Sequence, residues 1–255
     1  MKINKMMMAA MAAGAVLMLP AMTRGMGIVG TVHDFTTTTN QAYWINGGPW
    51  NAPKAGRSAN TCGSCHTIHH APDPARGPLW IHTPTARTFV YYSSSISESF
   101  PPDVSIAQLG SSSLTCLGCH DGSVAINSED TGAVPNATTA LVPKGTSTQL
   151  FIASNAIPIE VTGGQDDLTH MHPIGVSYAA CQNSPYLPAN SLNPVSTPFT
   201  GASGVTVRNM LKGPNQNVEC ASCHDIHATI GAATSGTGIM TIASGQNLCL
   251  GCHNK

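Results

Sequence analysis

Large apolar side chains are scarce in this chain. Phe, Trp and Tyr make up 5% of its 255 residues, and Asp, Glu, Lys and Arg together only 9%. The first shortage leaves little material for an ordinary hydrophobic core. The second leaves a formal charge of −1. That charge excludes the basic surface of a nucleic-acid binder and is not the high charge that usually accompanies disorder. Beyond the first residues no apolar run is long enough to span a bilayer. The one marked run, Met6 to Leu19, follows Lys2 and Lys5 and precedes small residues around Thr23 and Gly25. This is the layout of an export signal, assigned to residues 1–25. No twin-arginine pair and no lipobox cysteine accompany it, so an exported, unanchored mature chain is expected, starting near Met26.

Cysteine and histidine are patterned in this background. Four C-x-x-C-H motifs occur: Cys62–Cys65–His66, Cys116–Cys119–His120, Cys220–Cys223–His224 and Cys249–Cys252–His253. Two cysteines on one helical turn reach the two vinyl groups of a haem, and the following histidine sits beneath the ring as an axial ligand of the iron. Paired C-x-x-C motifs also build zinc sites, but zinc gives no reason for a histidine after every second cysteine. Four covalent haem c groups are therefore expected. The fold expected is mostly irregular and haem-cored, a multihaem c-type cytochrome with short α-helices at the motifs and a few short β-strands.

The motifs form a repeat. The first half reads His33-Asp34-Phe35, CGSCHTIH at 62–69 and CLGCHD at 116–121; the second reads His172-Pro173-Ile174, CASCHDIH at 220–227 and CLGCHN at 249–254. Residues 26–130 and 169–255 are thus two two-haem units joined by a linker at 131–168. Ser113 and Ser244 are expected to N-cap the turns holding the second and fourth motifs, and Asp103 a short helix through Leu109. Short strands are expected within Thr88–Tyr92, Thr148–Ala153, Pro158–Thr162 and Val205–Met210.

Eleven histidines less four in the motifs leave His33, His69, His70, His82, His170, His172 and His227. The repeat selects His33, His172, His69 and His227 as sixth ligands. A histidine three residues beyond the proximal one lies on the same turn and cannot fold back over its own haem, so His69 and His227 must each reach a neighbouring haem. Met171, Met210 and Met240 are the competing ligands in the mature chain, and histidine is in surplus over them. Bis-histidine ligation at all four irons leaves no open position for substrate, so electron transfer is expected and enzyme activity is not. Cys181 is the odd ninth cysteine, and its default reading is a small buried apolar residue.

The segments GIVGTVHDF (27–35), CHTIH followed by Pro78-Leu79-Trp80, CLGCHDGSVA, HPIGVSY (172–178), C-x-S-C-H-D-I-H and the terminal LCLGCH resemble the OmcE-type tetrahaem cytochromes. These are outer-surface cytochromes that polymerise into extracellular filaments. The resemblance implies bis-histidine haems in alternating stacked and T-shaped pairs, and head-to-tail self-association. It also implies an axial histidine donated by the next subunit, for which His33 is the candidate. His70 leaves the choice between His69 and His70 open. An extracellular or cell-surface conduit exchanging electrons with partner proteins or an external acceptor is expected; a monomeric periplasmic shuttle is the alternative.

Overall fold

The computed structural model describes residues 28, 33, 62, 65–66, 79–82, 85, 87–124, 165–227 and 246–255, with secondary structure alone at 128–129, 142–143, 160–162, 233–235, 238–240 and 245. The export signal, His69, His70 and Thr148–Ala153 lie outside the described residues.

Regular elements are short. Strand β1 (Phe89–Val90) precedes helix α1 (Ser111–His120), and β2 (Ser128–Glu129) pairs in parallel with β3 (Val142–Pro143). Strands β4 (Glu160–Thr162) and β5 (Gln165–Asp167) pair antiparallel, and β5 also pairs in parallel with β1, in register Phe89 to Asp166. Strand β6 (Val176–Ser177) leads directly into α2 (Tyr178–Asn183). The turn α3 (Val207–Met210), strand β7 (Asn217–Val218) and the turn α4 (Cys220–Cys223) follow. The hairpin β8 (Ala233–Ser235) and β9 (Gly238–Met240) and helix α5 (Gly245–Cys252) complete the order.

The expected strands at 88–92 and 158–162 appear in shortened form as β1 and β4. Three local expectations are corrected. Residues 207–210 turn helically because Thr206 and Asn209 close a reciprocal capping box, in which the Asn209 side-chain oxygen accepts the Thr206 amide that a strand partner would otherwise take. Ser113 is not a cap: α1 begins two residues earlier, with Gly110 at its N-cap, and Ser113 is fully buried inside the helix. Asp103 caps no helix, since residues 103–109 are irregular, and its carboxylate instead accepts a 2.6 Å hydrogen bond from the Ser184 hydroxyl.

Among the described residues the buried apolar side chains form three small clusters. Tyr178, Phe199, Val207, Met210, Leu211 and Leu248 pack together beside α5. Phe89, Leu109, Leu117 and Leu168 pack on α1, and Phe100, Val104, Ile106 and Val176 form the third cluster. Strands β6 and β7 pair antiparallel, Val176 opposite Val218, and so tie the segment after His172 to the entry of α4. Among the described residues no helix is long and apolar enough to cross a membrane.

Candidate haem site

Each motif is one helical turn. The histidine amide donates to the first cysteine's carbonyl at 2.9 Å in Cys62–His66, 3.0 Å in Cys220–His224 and 2.8 Å in Cys249–His253. The remaining motif, Cys116–His120, forms the end of α1. That closure sets both sulfurs and the imidazole near one face. Helix α1 stops directly after His120: Gly122 takes a left-handed φ of +71° and donates to Cys119 at 3.1 Å, a glycine C-terminal closure. The backbone after two other motifs is pinned by antiparallel bridges, His66 with Trp80 and His253 with Leu192.

Between motifs, the histidines come in pairs. The ring centroids of His33 and His120 lie 5.9 Å apart, those of His172 and His253 6.1 Å, and those of His66 and His227 6.0 Å. Each pair joins a motif histidine to a non-motif one. A metal–imidazole bond of about 2.0 Å on either side of one ion, with each ring centre about 1 Å further out, separates two trans imidazoles by roughly 6 Å. The observed spacings would leave room for an iron that both rings could hold. Among the described residues no cluster of three or more His, Cys, Asp or Glu side chains is arranged to hold a metal ion.

The protonation states agree with ligation. Burial, then the neighbouring His120 and His224, lowers His33 to about 4. Burial is also the first cause of the lowered values of His120 and His253. These rings are neutral at pH 7, which is the form that binds a metal.

The sulfurs show which motifs adjoin. Burial pushes the Cys119 thiol up to about 12, with Cys65 the next contributor, and Cys252 up to about 11, with Cys223 the next. In each half the second cysteines of the two motifs thus lie within electrostatic range of each other. The Cys116 and Cys220 thiols also share a hydrogen bond, which raises Cys116 and lowers Cys220. Once joined to haem these sulfurs no longer titrate, and what persists is their proximity.

Placement of the remaining histidines differs from expectation in part. His33 faces His120 of its own chain, with the ring centroids 5.9 Å apart. His82 is buried and packs against Trp80 at 5.3 Å, whereas His170 is exposed. His224 is described, whereas His69 and His70 lie outside the described residues. Cys181 is half-buried, and burial, then Asp103, pushes its thiol up to about 11, as befits an inert thiol.

Several supporting residues escaped the sequence reading. Trp80 stands edge-on to His66 at 6.0 Å and 81°. The Tyr178 hydroxyl donates to the carbonyls of Asn193 and Cys252, and the Asn193 amide donates to those of Leu250 and Gly251. These bonds satisfy carbonyls at the C-terminal end of α5. Glu219, 1% exposed, lies between α1 and α4. Its signal was available: a lone acid directly before a C-x-x-C-H motif, in a chain with few acids.

Residues 213–255, which hold the third and fourth motifs, match the family described as Doubled CXXCH motif. These are covalent haem c sites. The match is consistent with a haem-binding c-type cytochrome, a class whose work is electron transfer. No curated protein matches the chain.

Proposed function

We propose that this protein is a tetrahaem electron carrier whose four haem c irons are all held by two histidines. The observation that carries the reading is the set of three imidazole pairs at 5.9, 6.0 and 6.1 Å, each uniting a proximal and a distal histidine. The cofactor-binding cysteines are Cys62, Cys65, Cys116, Cys119, Cys220, Cys223, Cys249 and Cys252. The proximal ligands are His66, His120, His224 and His253; the distal ligands are His33, His172, His227 and His69. By the symmetry of the repeat, His227 reaching His66 implies that His69 reaches His224, a reciprocal exchange between the two C-x-x-C-H-x-x-H segments.

Haem supplies a one-electron iron couple when bound. The chain would hold each iron with two imidazoles, which would leave no position for a substrate and favour electron transfer. The helical turn of each motif sets the sulfurs and the proximal ring together, and the hydrogen bond between the Cys116 and Cys220 thiols supports a close approach of the second and third motifs.

The decisive experiment is the haem count and spin state of protein matured in a cytochrome c-producing host. Four haems per chain, all low-spin, are expected, and His227→Ala turns one of them high-spin and able to bind carbon monoxide when reduced. Fewer than four haems, or a His227→Ala protein that stays wholly low-spin, overturns the reading.

The second reading concerns assembly: an exported, head-to-tail extracellular filament, in which a contact that does not close on itself propagates. It is favoured by the resemblance to filament-forming cytochromes and by the net charge of −1, which presents little electrostatic barrier to association. The resemblance makes His33 the candidate for a ligand lent between subunits; within the single chain it faces His120. Electron microscopy of the secreted fraction distinguishes filaments from a self-contained periplasmic shuttle.

A further inference from the structure

Glu219 is the one acidic residue among the largest fully buried side chains. Its carboxylate accepts the Gly110 amide at 2.9 Å, the Ser113 hydroxyl and the Ser222 amide. Its own amide donates to the Ser222 hydroxyl at 2.9 Å, and the Ser113 hydroxyl also accepts the Cys220 amide at 3.0 Å. All the partners of the carboxylate are donors, the pattern of an ionised acid, and buried charges persist only when satisfied in this way. The site is also fitted on the other side: a Cβ at Gly110 would lie 2.6 Å from the carboxylate oxygen Oε1, so the helix start can approach only without a side chain.

The location gives this network its meaning. Gly110 and Ser113 begin α1, which carries the second motif from the first half; Glu219 and Ser222 begin α4, which is the third motif and belongs to the second half. The first cysteines of these motifs, Cys116 and Cys220, are in contact. The carboxylate therefore stands where two attachment edges from different halves meet.

We propose that Glu219 is a positioning and tuning residue: it straps α1 to α4, so setting the junction between the second and third haem segments, and its buried charge favours the oxidised state of the two haems attached there. This rests on the tetrahaem reading above. A unit charge on the order of 10 Å from an iron, at an effective dielectric near 20, shifts a one-electron equilibrium roughly tenfold. A tenfold change is about 59 mV for one electron. Removing the charge raises the two affected potentials; removing a donor to it concentrates the charge and lowers them by less.

The test is a spectroelectrochemical titration of the mature, haem-loaded protein and its Glu219→Gln variant, preceded by a haem count. A wild-type count below four haems sinks the tetrahaem reading itself and is told apart from failure of this inference. With four haems present, Glu219→Gln is expected to shift two of the four one-electron steps upward by roughly tenfold and to leave the other two in place. Unchanged potentials, or an equal shift of all four, overturn the proposal. If Glu219→Gln does not load haem, Ser113→Ala, which keeps the acid, serves instead. A smaller downward shift of two steps supports the proposal, and no shift overturns it. A purely structural role would lower the melting temperature of either variant without this selective, opposite-signed pattern.

Discussion

The two halves of this chain place the same kind of histidine pair in different surroundings. His33 and His120 stand 5.9 Å apart, and their counterparts His172 and His253 6.1 Å. Yet His33 is withdrawn from solvent enough to be held at about 4, whereas His172 is exposed and its Nδ1 is 3.0 Å from the Pro173 carbonyl oxygen. The helices behind the pairs are also secured differently. Helix α1 is strapped by Glu219 from the other half, while α5 is held within its own half by Asn193, Tyr178 and the Phe199 cluster. The spacing between the rings is repeated, but the packing around them is not. Ligation constrains only a few atoms closely, and many side-chain arrangements can hold those atoms in place.

The strongest way to break this equivalence is to remove the distal ring in each half. His33→Ala and His172→Ala are each expected to convert one haem per chain to high-spin, and the double variant two, as counted by electron paramagnetic resonance. A His33→Ala protein that stays fully low-spin while His172→Ala does not would end the claim that the two positions are equivalent. A smaller effect sharpens the packing contrast. In α5, a Cβ at Gly251 would run into the Phe199 ring, so Gly251→Ala should cost about 1–3 kcal/mol by overpacking. Thermal melting of the haem-loaded variant checks this, and a rise in melting temperature, as helix propensity alone would give, contradicts it. The smallest effect expected is from Tyr178→Phe. It removes the hydroxyl that donates to Asn193 and Cys252, and should cost about 0.5–1.5 kcal/mol with the haem spectrum unchanged.

How much of the site was legible depended on how local each feature is. The four motifs, their histidines and the repeat could be read because attachment chemistry lies within five consecutive residues. The cap at Ser113 was misread because a serine before a helical motif has the same local pattern whether it caps or is buried; only the approach of Glu219 drew it inside. The strand expected at 205–210 failed for a similar reason. Its apolar run is short enough to suit either structure, and the Thr206–Asn209 box decided for the helix. Nothing local to His82 declares that it is buried against Trp80.

By itself the sequence determined the cofactor chemistry, the number of attachment motifs and the supply of histidines, because a C-x-x-C-H turn is complete within a single helical turn. Only the tertiary structure decided which histidine faces which. His33 reaches His120 across 87 residues, His172 reaches His253 across 81, and His227 crosses from one half to the other to face His66. It also decided that a buried carboxylate joins the halves. Such pairings follow from the path of the chain through space, and in a chain so poor in large apolar and charged residues little in the local pattern declares that path.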